Sequence, residues 1–218
     1  MAEGNSRFGY DPAALGTWSS EVIKRINGDE DSIEFAIRDF IAKFNEIITK
    51  GYWAGPDLTK KYAVLKEIYG NIATYYKNFQ DKYIEVLGEV KDQFKAFQES
   101  YGAESALLFD IPTAVALPAM VEEPTNTTLV NYSKPEIESV ATDLQTRIAY
   151  FKDTSVAKLV SKIQEVGGES TIWYGGLADS TVEALVAAAN DNAGKIEGQL
   201  NEVVSLLNQL ATDTATYL

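Results

Sequence analysis

Carboxylate pairs at helical spacing are the residues of this chain whose types and positions could do chemistry. Glu85 with Glu89, and Glu34 with Asp39, could hold a metal ion or share a proton on one helix face. A di-iron bundle needs histidine in a Glu-x-x-His pattern beside such carboxylates, and the chain has neither histidine nor cysteine. Cysteine nucleophiles, histidine general bases and Cys/His zinc sites are therefore excluded. Calcium loops are missing as well, so the sequence favours solvated helix faces for these charges.

The composition also argues against several classes of function. We expect no catalytic residue, no cofactor and no metal, and hence a protein that is not an enzyme. The 218 residues carry a formal net charge of −13 and no basic stripe that would neutralise phosphates. This balance argues against nucleic-acid binding and disfavours electrostatic docking on anionic lipid. Binding to another protein is the activity that this composition favours.

Apolar residues recur at steps of three and four along most of the chain, which predicts long amphipathic helices with coiled-coil-like seams. The clearest helix covers about residues 56–100, and the helix before it has Asp31 or Ser32 as N-cap. An earlier segment, 17–26, is helical by the same pattern. Ser133 can N-cap a further helix, with Glu136 placed for a capping box. The longest helix carries a tyrosine stripe that we interpret as core rather than as a carbohydrate or partner surface: Tyr62, Tyr69, Tyr76 and Tyr83.

Two Trp-X-Gly sequences lie 120 residues apart, each between two predicted helices. They are Trp53-Ala54-Gly55 and Trp173-Tyr174-Gly175. The glycine can take the positive φ that ends a helix, and the indole can cap the apolar seam at a partly exposed turn. The indole as part of a recognition groove is an equally weighted alternative. Because the motif recurs in the same context, we predict a duplicated helix-turn-helix unit.

The predicted organisation has two helical hairpins and a linker. Residues 1–104 form the first hairpin, 105–132 a proline-containing apolar linker, and 133–218 the second hairpin. A fully extended linker of this size spans roughly 100 Å, so it can run back along the bundle and place the two turns at opposite ends. We therefore predict an all-α, elongated four-helix bundle with the linker packed in a groove.

With these two turns the chain resembles the WXG family of small helical-hairpin proteins of bacterial type VII (ESX-type) secretion. Members of that family have one helix, a Trp-X-Gly turn and a second helix, and they pair as antiparallel four-helix dimers. The chain resembles two such units fused, over about residues 12–104 and 133–218. The resemblance implies partner recognition around Trp53, Gly55, Trp173 and Gly175. It also implies a protein partner, either a secretion component or a secreted effector with a helical targeting domain, and it leaves a homodimer open.

Export in this family often uses a Tyr-x-x-x-Asp/Glu motif after the second helix. Here Tyr217 is followed only by Leu218, whereas Tyr132 and Glu136 match the spacing at the start of a helix. The sequence begins without a classical signal peptide, as in the family. The resemblance thus implies a protein secreted by the type VII route, or cytoplasmic before export, as a secreted WXG-like protein or as an adaptor for a larger effector.

Two other functions stay open at this point. An α-helical pore-forming or membrane-active toxin component could use residues 106–121 as its membrane-seeking segment. Against it, Asp110, Pro112 and Pro118 interrupt that segment, and no apolar run reaches the length of a transmembrane helix. The second alternative is a plain helical scaffold with no link to secretion.

Overall fold

The predicted all-α class is confirmed by the computed structural model, in which helices make up most of the described chain. The structure describes residues 9–101, 111, 113–117, 122 and 130–215. Most of the linker lies outside these residues, and so do most of the segment 106–121 and the C-terminal Tyr217 and Leu218. The strands of the described chain have two residues each.

The first two helices of the chain begin at polar N-cap residues. Its elements are β1 (Gly9–Tyr10), α1 (Pro12–Ile26), α2 (Ile33–Thr49), β2 (Trp53–Ala54) and α3 (Pro56–Tyr101). The Asp11 carboxylate accepts hydrogen bonds from the backbone N–H groups of Ala13 and Ala14. Ser32 Oγ accepts a hydrogen bond from Phe35 N. Of the two predicted N-caps of α2, Asp31 and Ser32, it is therefore Ser32 that caps the helix. These side chains satisfy donors that the first helical turn leaves open.

The second half repeats this order with one addition. Its elements are β3 (Asn131–Tyr132), α4 (Lys134–Tyr150), a π-helical segment (Phe151–Val156), α5 (Ala157–Ile163), β4 (Trp173–Tyr174) and α6 (Gly176–Ala215). The predicted capping box is wrong, because the Ser133 side chain makes no cap hydrogen bond. The backbone N–H of Ser133 instead donates to the Tyr52 carbonyl oxygen at 2.8 Å.

The four short strands pair between the halves and not within them. β1 pairs with β4 in antiparallel register, Gly9 opposite Tyr174. β2 pairs with β3, Trp53 opposite Tyr132. Each Trp-X-Gly turn is therefore completed by the segment that leads into the other half. The ring of Phe94, near the end of α3, contacts the ring of Trp173. Since β2 directly precedes α3, the two turns lie at opposite ends of that helix.

The helices pack side by side. α3 lies along α6, α6 along α4, and α4 along α2, while α1 packs on α5. On the side of α3 that faces α1 and α2, tyrosines bridge the space between helices. Tyr76 and Tyr83 donate hydroxyl hydrogen bonds to the carbonyl oxygens of Ile26 and Ser19. Burial raises the pKa of both hydroxyls. The predicted core role is confirmed for three of the stripe tyrosines, Tyr69, Tyr76 and Tyr83, whereas Tyr62 is half-buried.

A short piece of the linker lies against α3, as predicted. The buried side-chain amide of Gln80 donates to the Val115 carbonyl oxygen at 2.9 Å and accepts from Val115 N at 2.7 Å. Leu117 packs on the core. Farther along, Glu122 N donates to Asn45 Oδ1 on α2. The described linker residues therefore follow the bundle back from the end of α3 towards β2.

Four ion pairs join α1, α2 and the turn between them to α4 and α5 of the second half. They are Glu21–Lys162 at 2.6 Å, Asp31–Lys158, Asp39–Arg147 at 2.8 Å and Lys43–Asp143 at 2.9 Å. Asp31 also accepts a hydrogen bond from the Tyr150 hydroxyl at 2.5 Å. The interpretation of Asp39 as part of a merely solvated face is thus incomplete, because its carboxylate pairs across the halves.

The Asp31 pairing predicts a dependence of stability on acid. Hydrogen bonds from Lys158 and Tyr150 lower the pKa of Asp31 below its ordinary value of 3.8. The stabilisation is therefore present above that value and is lost as the pH falls through the lower, folded-state pKa. We expect Asp31→Asn to lower the free energy of unfolding by about 1 kcal/mol at neutral pH. Urea unfolding at a series of pH values measures this.

The difference between wild type and D31N should shrink below about pH 4 as the wild-type carboxylate is protonated. Asp92→Asn, at an exposed position of α3, is the control and should change stability little at any pH. A D31N deficit that stays constant down to the lowest pH would contradict the pairing.

Candidate interaction sites at the two Trp-X-Gly turns

The first turn places its tryptophan inside the protein. Trp53 is 0% exposed, and its backbone pairs with Tyr132 of β3. Gly55 has a φ of 111°, so the predicted positive φ is found. Its role differs from the prediction, however, because Gly55 starts the next helix instead of ending the previous one. The Gly55 carbonyl oxygen accepts the Thr59 N–H at 3.2 Å, in the first turn of α3.

The preceding helices end at other glycines. Gly51, with a φ of 67°, follows α2, and Gly167 and Gly168, with φ values of 86° and 55°, follow α5. These are the left-handed positions at which a helix commonly stops. The glycine of each triplet thus has the separate task of turning the chain from the short strand into the long helix.

The second turn has the same geometry at the other end of α3. Gly175 has a φ of 112°, and its carbonyl oxygen accepts the Asp179 N–H at 3.0 Å. Trp173 is 0% exposed, and its ring lies 5.3 Å from that of Phe94, which in turn lies 4.5 Å from that of Tyr10. Aromatic pairs at these distances add to the energy of burial.

The pairing strand at this end lies close to the side chain of Tyr174. A Cβ added to Gly9 would lie 2.3 Å from the Tyr174 hydroxyl oxygen, well inside van der Waals contact. On the neighbouring residue, the Tyr10 hydroxyl accepts a hydrogen bond from Gln98 Nε2 at 3.2 Å. β1 therefore fits closely between the turn and the end of α3.

Burial of both indoles changes what the turns can do. The sequence predicted partly exposed tryptophans, and this is wrong, because the strand from the other half covers each one. A partner can touch neither indole unless the turn opens. Trp53 and Trp173 therefore have a packing role at the helix ends. Any surface that a partner contacts at the turns consists of the residues around them.

The export-motif-like pair lies beside the first turn. Tyr132 is half-buried opposite Trp53, and Glu136 is exposed in the first turn of α4. Burial raises the pKa of the Tyr132 hydroxyl, and the carboxylate of Asp57 raises it further. The hydroxyl therefore stays protonated at neutral pH and can donate a hydrogen bond.

Sequence reasoning missed the two strands that complete the turns. Gly9–Tyr10 and Asn131–Tyr132 are too short for the alternation that identifies a strand. A weaker signal was present, because both halves begin with a tyrosine shortly before a proline, as Tyr10-Asp11-Pro12 and as Tyr132-Ser133-Lys134-Pro135.

Comparison with known proteins gives no relative. No family model, no curated protein and no solved structure matches this chain. In the part of the chain that the structure describes, no helix has the length and apolarity needed to span a membrane. Those residues also contain no group of three or more acidic side chains placed to hold a metal ion.

Removal of the buried indole should be costly. We expect Trp173→Ala to lower the free energy of unfolding by about 3–5 kcal/mol, because it leaves a cavity between β1 and α3. Trp173→Phe should cost much less, since the indole N–H has no hydrogen-bond partner among the described residues. Urea unfolding followed by circular dichroism measures both.

Tyr62→Ala, which removes a half-buried aromatic from α3, is the control and should cost clearly less than Trp173→Ala. A Trp173→Ala variant as stable as Tyr62→Ala would show that the indole is not held between the halves.

Proposed function

We propose that this chain is a non-enzymatic protein that acts by binding other proteins, as a tandem WXG-like unit associated with type VII secretion. One observation carries the proposal. Two Trp-X-Gly turns share the same glycine φ, the same carbonyl bond into a long helix and the same paired strand. Tripeptides that occurred by chance would not share this geometry at corresponding positions of the two halves.

We propose further that the architecture is an antiparallel four-helix bundle of two hairpins. Two of its four helical units would be the single helices α3 and α6. The other two would each consist of two consecutive helices, α1 with α2 and α4 with α5. The order of neighbouring helices and the exchange of strands between halves support this arrangement. In the family that the chain resembles, such a bundle forms from two separate chains. Here the second chain's place would be taken by the second half.

The proposed partner is a type VII secretion component or an effector with a helical targeting domain. The Tyr132 and Glu136 pair supports direct recognition, because Glu136 is exposed and Tyr132, four residues before it, is half-buried. Both residues lie at the end of the molecule that holds the first turn. The chain would then be secreted itself or would accompany its partner as an adaptor.

The described residues give no observation in favour of the pore-forming alternative. The described part of the segment 106–121 is bonded to α3 through Gln80. A plain scaffold differs from the proposal only in lacking a secretion partner, so the same experiment separates the two.

The test is export from a host bacterium with an intact type VII system, compared with the same strain without its secretion ATPase. We expect the chain, or an effector cross-linked to it, to reach the medium only when the ATPase is present. Glu136→Gln should lower export with no change in thermal stability, because it removes one exposed charge of the motif. Immunoblots of medium and cells measure this.

Glu67→Gln is the control, since it removes an exposed carboxylate outside the motif. Equal export with and without the ATPase, and no secretion component or effector among the cross-linked proteins, would reject the proposed function.

A further inference from the structure

An open groove of about 560 Å³ lies beside the second turn, between the end of α5 and the first half of α6. Its floor and wall are apolar, from Val166, Val182, Val186 and Ala187. Val166 is buried, while Val182 and Val186 are half-buried and Ala187 is exposed. Glu183 and Asp179 also line the groove. We call it the α5–α6 groove.

The groove exists because the second half has a longer loop than the first. Only residues 50–52 connect α2 to β2, whereas residues 164–172 connect α5 to β4. The extra residues form a fixed wall. Gly168 N donates to Asp179 Oδ1 at 2.7 Å, and Gly167 N donates to the Trp173 carbonyl oxygen at 2.8 Å. The Ser170 hydroxyl donates to the Glu165 carbonyl oxygen at 2.6 Å.

The corresponding surface of the first half is filled. Counted from the two tryptophans, Val182 corresponds to Tyr62 and Val186 to Lys66. The Lys66 ammonium lies over the Tyr62 ring, 5.6 Å from its centroid. The two halves therefore differ at this place. The surface is covered in the first half and forms an apolar groove in the second.

The charged residues that line the groove, Asp179 and Glu183, are both acidic. Residues 163–194 include no lysine or arginine, and their charged residues are all acidic: Glu165, Glu169, Asp179, Glu183 and Asp191. Asp191 is paired with Lys195. The nearest lysine before this stretch, Lys162, is paired with Glu21 and Glu165. An apolar groove with an acidic rim attracts a segment that combines apolar and basic side chains.

We propose that the α5–α6 groove is the docking site for a basic amphipathic segment of a protein partner. An apolar side chain of that segment would pack on Val182 and Val186, and a lysine or arginine beside it would pair with Glu183. The proposal does not depend on the link to secretion, because it rests on the shape and charge of the groove alone.

The test uses synthetic peptides as probes. One is a fluorescein-labelled amphipathic peptide of leucine and lysine, the second has glutamate at every lysine position, and the third has serine at every leucine position. We expect saturable binding of the leucine–lysine peptide only, measured by fluorescence anisotropy with the full chain. Val186→Lys, which copies the first half, should weaken binding at least about fivefold. Glu183→Gln should weaken it about threefold.

Two control variants carry the same change of charge on the first half. Val64→Lys adds a lysine at an exposed position of α3, and Glu67→Gln removes an exposed carboxylate there. Both should bind the peptide as wild type does. Because all four positions are exposed or half-buried, circular dichroism should show unchanged folding.

Three results would overturn the proposal. The first is equal weakening by V186K and V64K, or by E183Q and E67Q, since attraction would then come from the overall charge of the chain. The second is equal binding of the lysine–serine peptide, which would leave the apolar floor without a role. The third is no saturable binding of the leucine–lysine peptide. The export experiment is independent of all three.

Discussion

The crossed pairing of two-residue strands is the contact on which the rest of the structure depends. Each strand brings few hydrogen bonds, but it covers a tryptophan that would otherwise stand at an open helix end. A covered indole fixes the distance between the long helix and the helices around it. Because the cover always comes from the other half, neither half can complete its own turn. The strand pairing that completes each turn can therefore form only where the two halves are in contact.

The two halves share the geometry of their turns and differ elsewhere. The glycine φ, the carbonyl bond into the long helix and the paired strand are the same at both turns. Between the turns, the halves differ. The first half has the longer tyrosine-rich helix and the second the π-helical segment, the alanine-rich helix and the longer loop. Tyrosines hold α3 away from α1 and α2, whereas the small side chains of α6, such as Ala189, allow closer contact. Differences of this kind make the surfaces at the two ends of the molecule unlike each other.

The helices could be predicted because their information is local. The spacing of apolar residues along α3 gave its extent almost to the residue, and Ser32 was identifiable as a cap. The strands could not, because two residues show no alternation and their partners lie far away in sequence. The expected exposure of Trp53 and Trp173 was wrong for the same reason, since the covering strand belongs to the other half. The ion pair of Asp39 with Arg147 also depends on packing that no local pattern contains.

The crossed pairing is tested most directly by two spin-label distances that share one position. The chain has no cysteine, so cysteines introduced at exposed positions 130, 50 and 169 can be labelled without background. Paired strands lie about 5 Å apart, so labels at 130 and 50 should be within about 20 Å of each other. Labels at 130 and 169 should be roughly 50 Å apart, because most of the length of α3 separates the two turns. The reverse order, with 130 close to 169 and far from 50, would show that each strand pairs within its own half and would contradict this account.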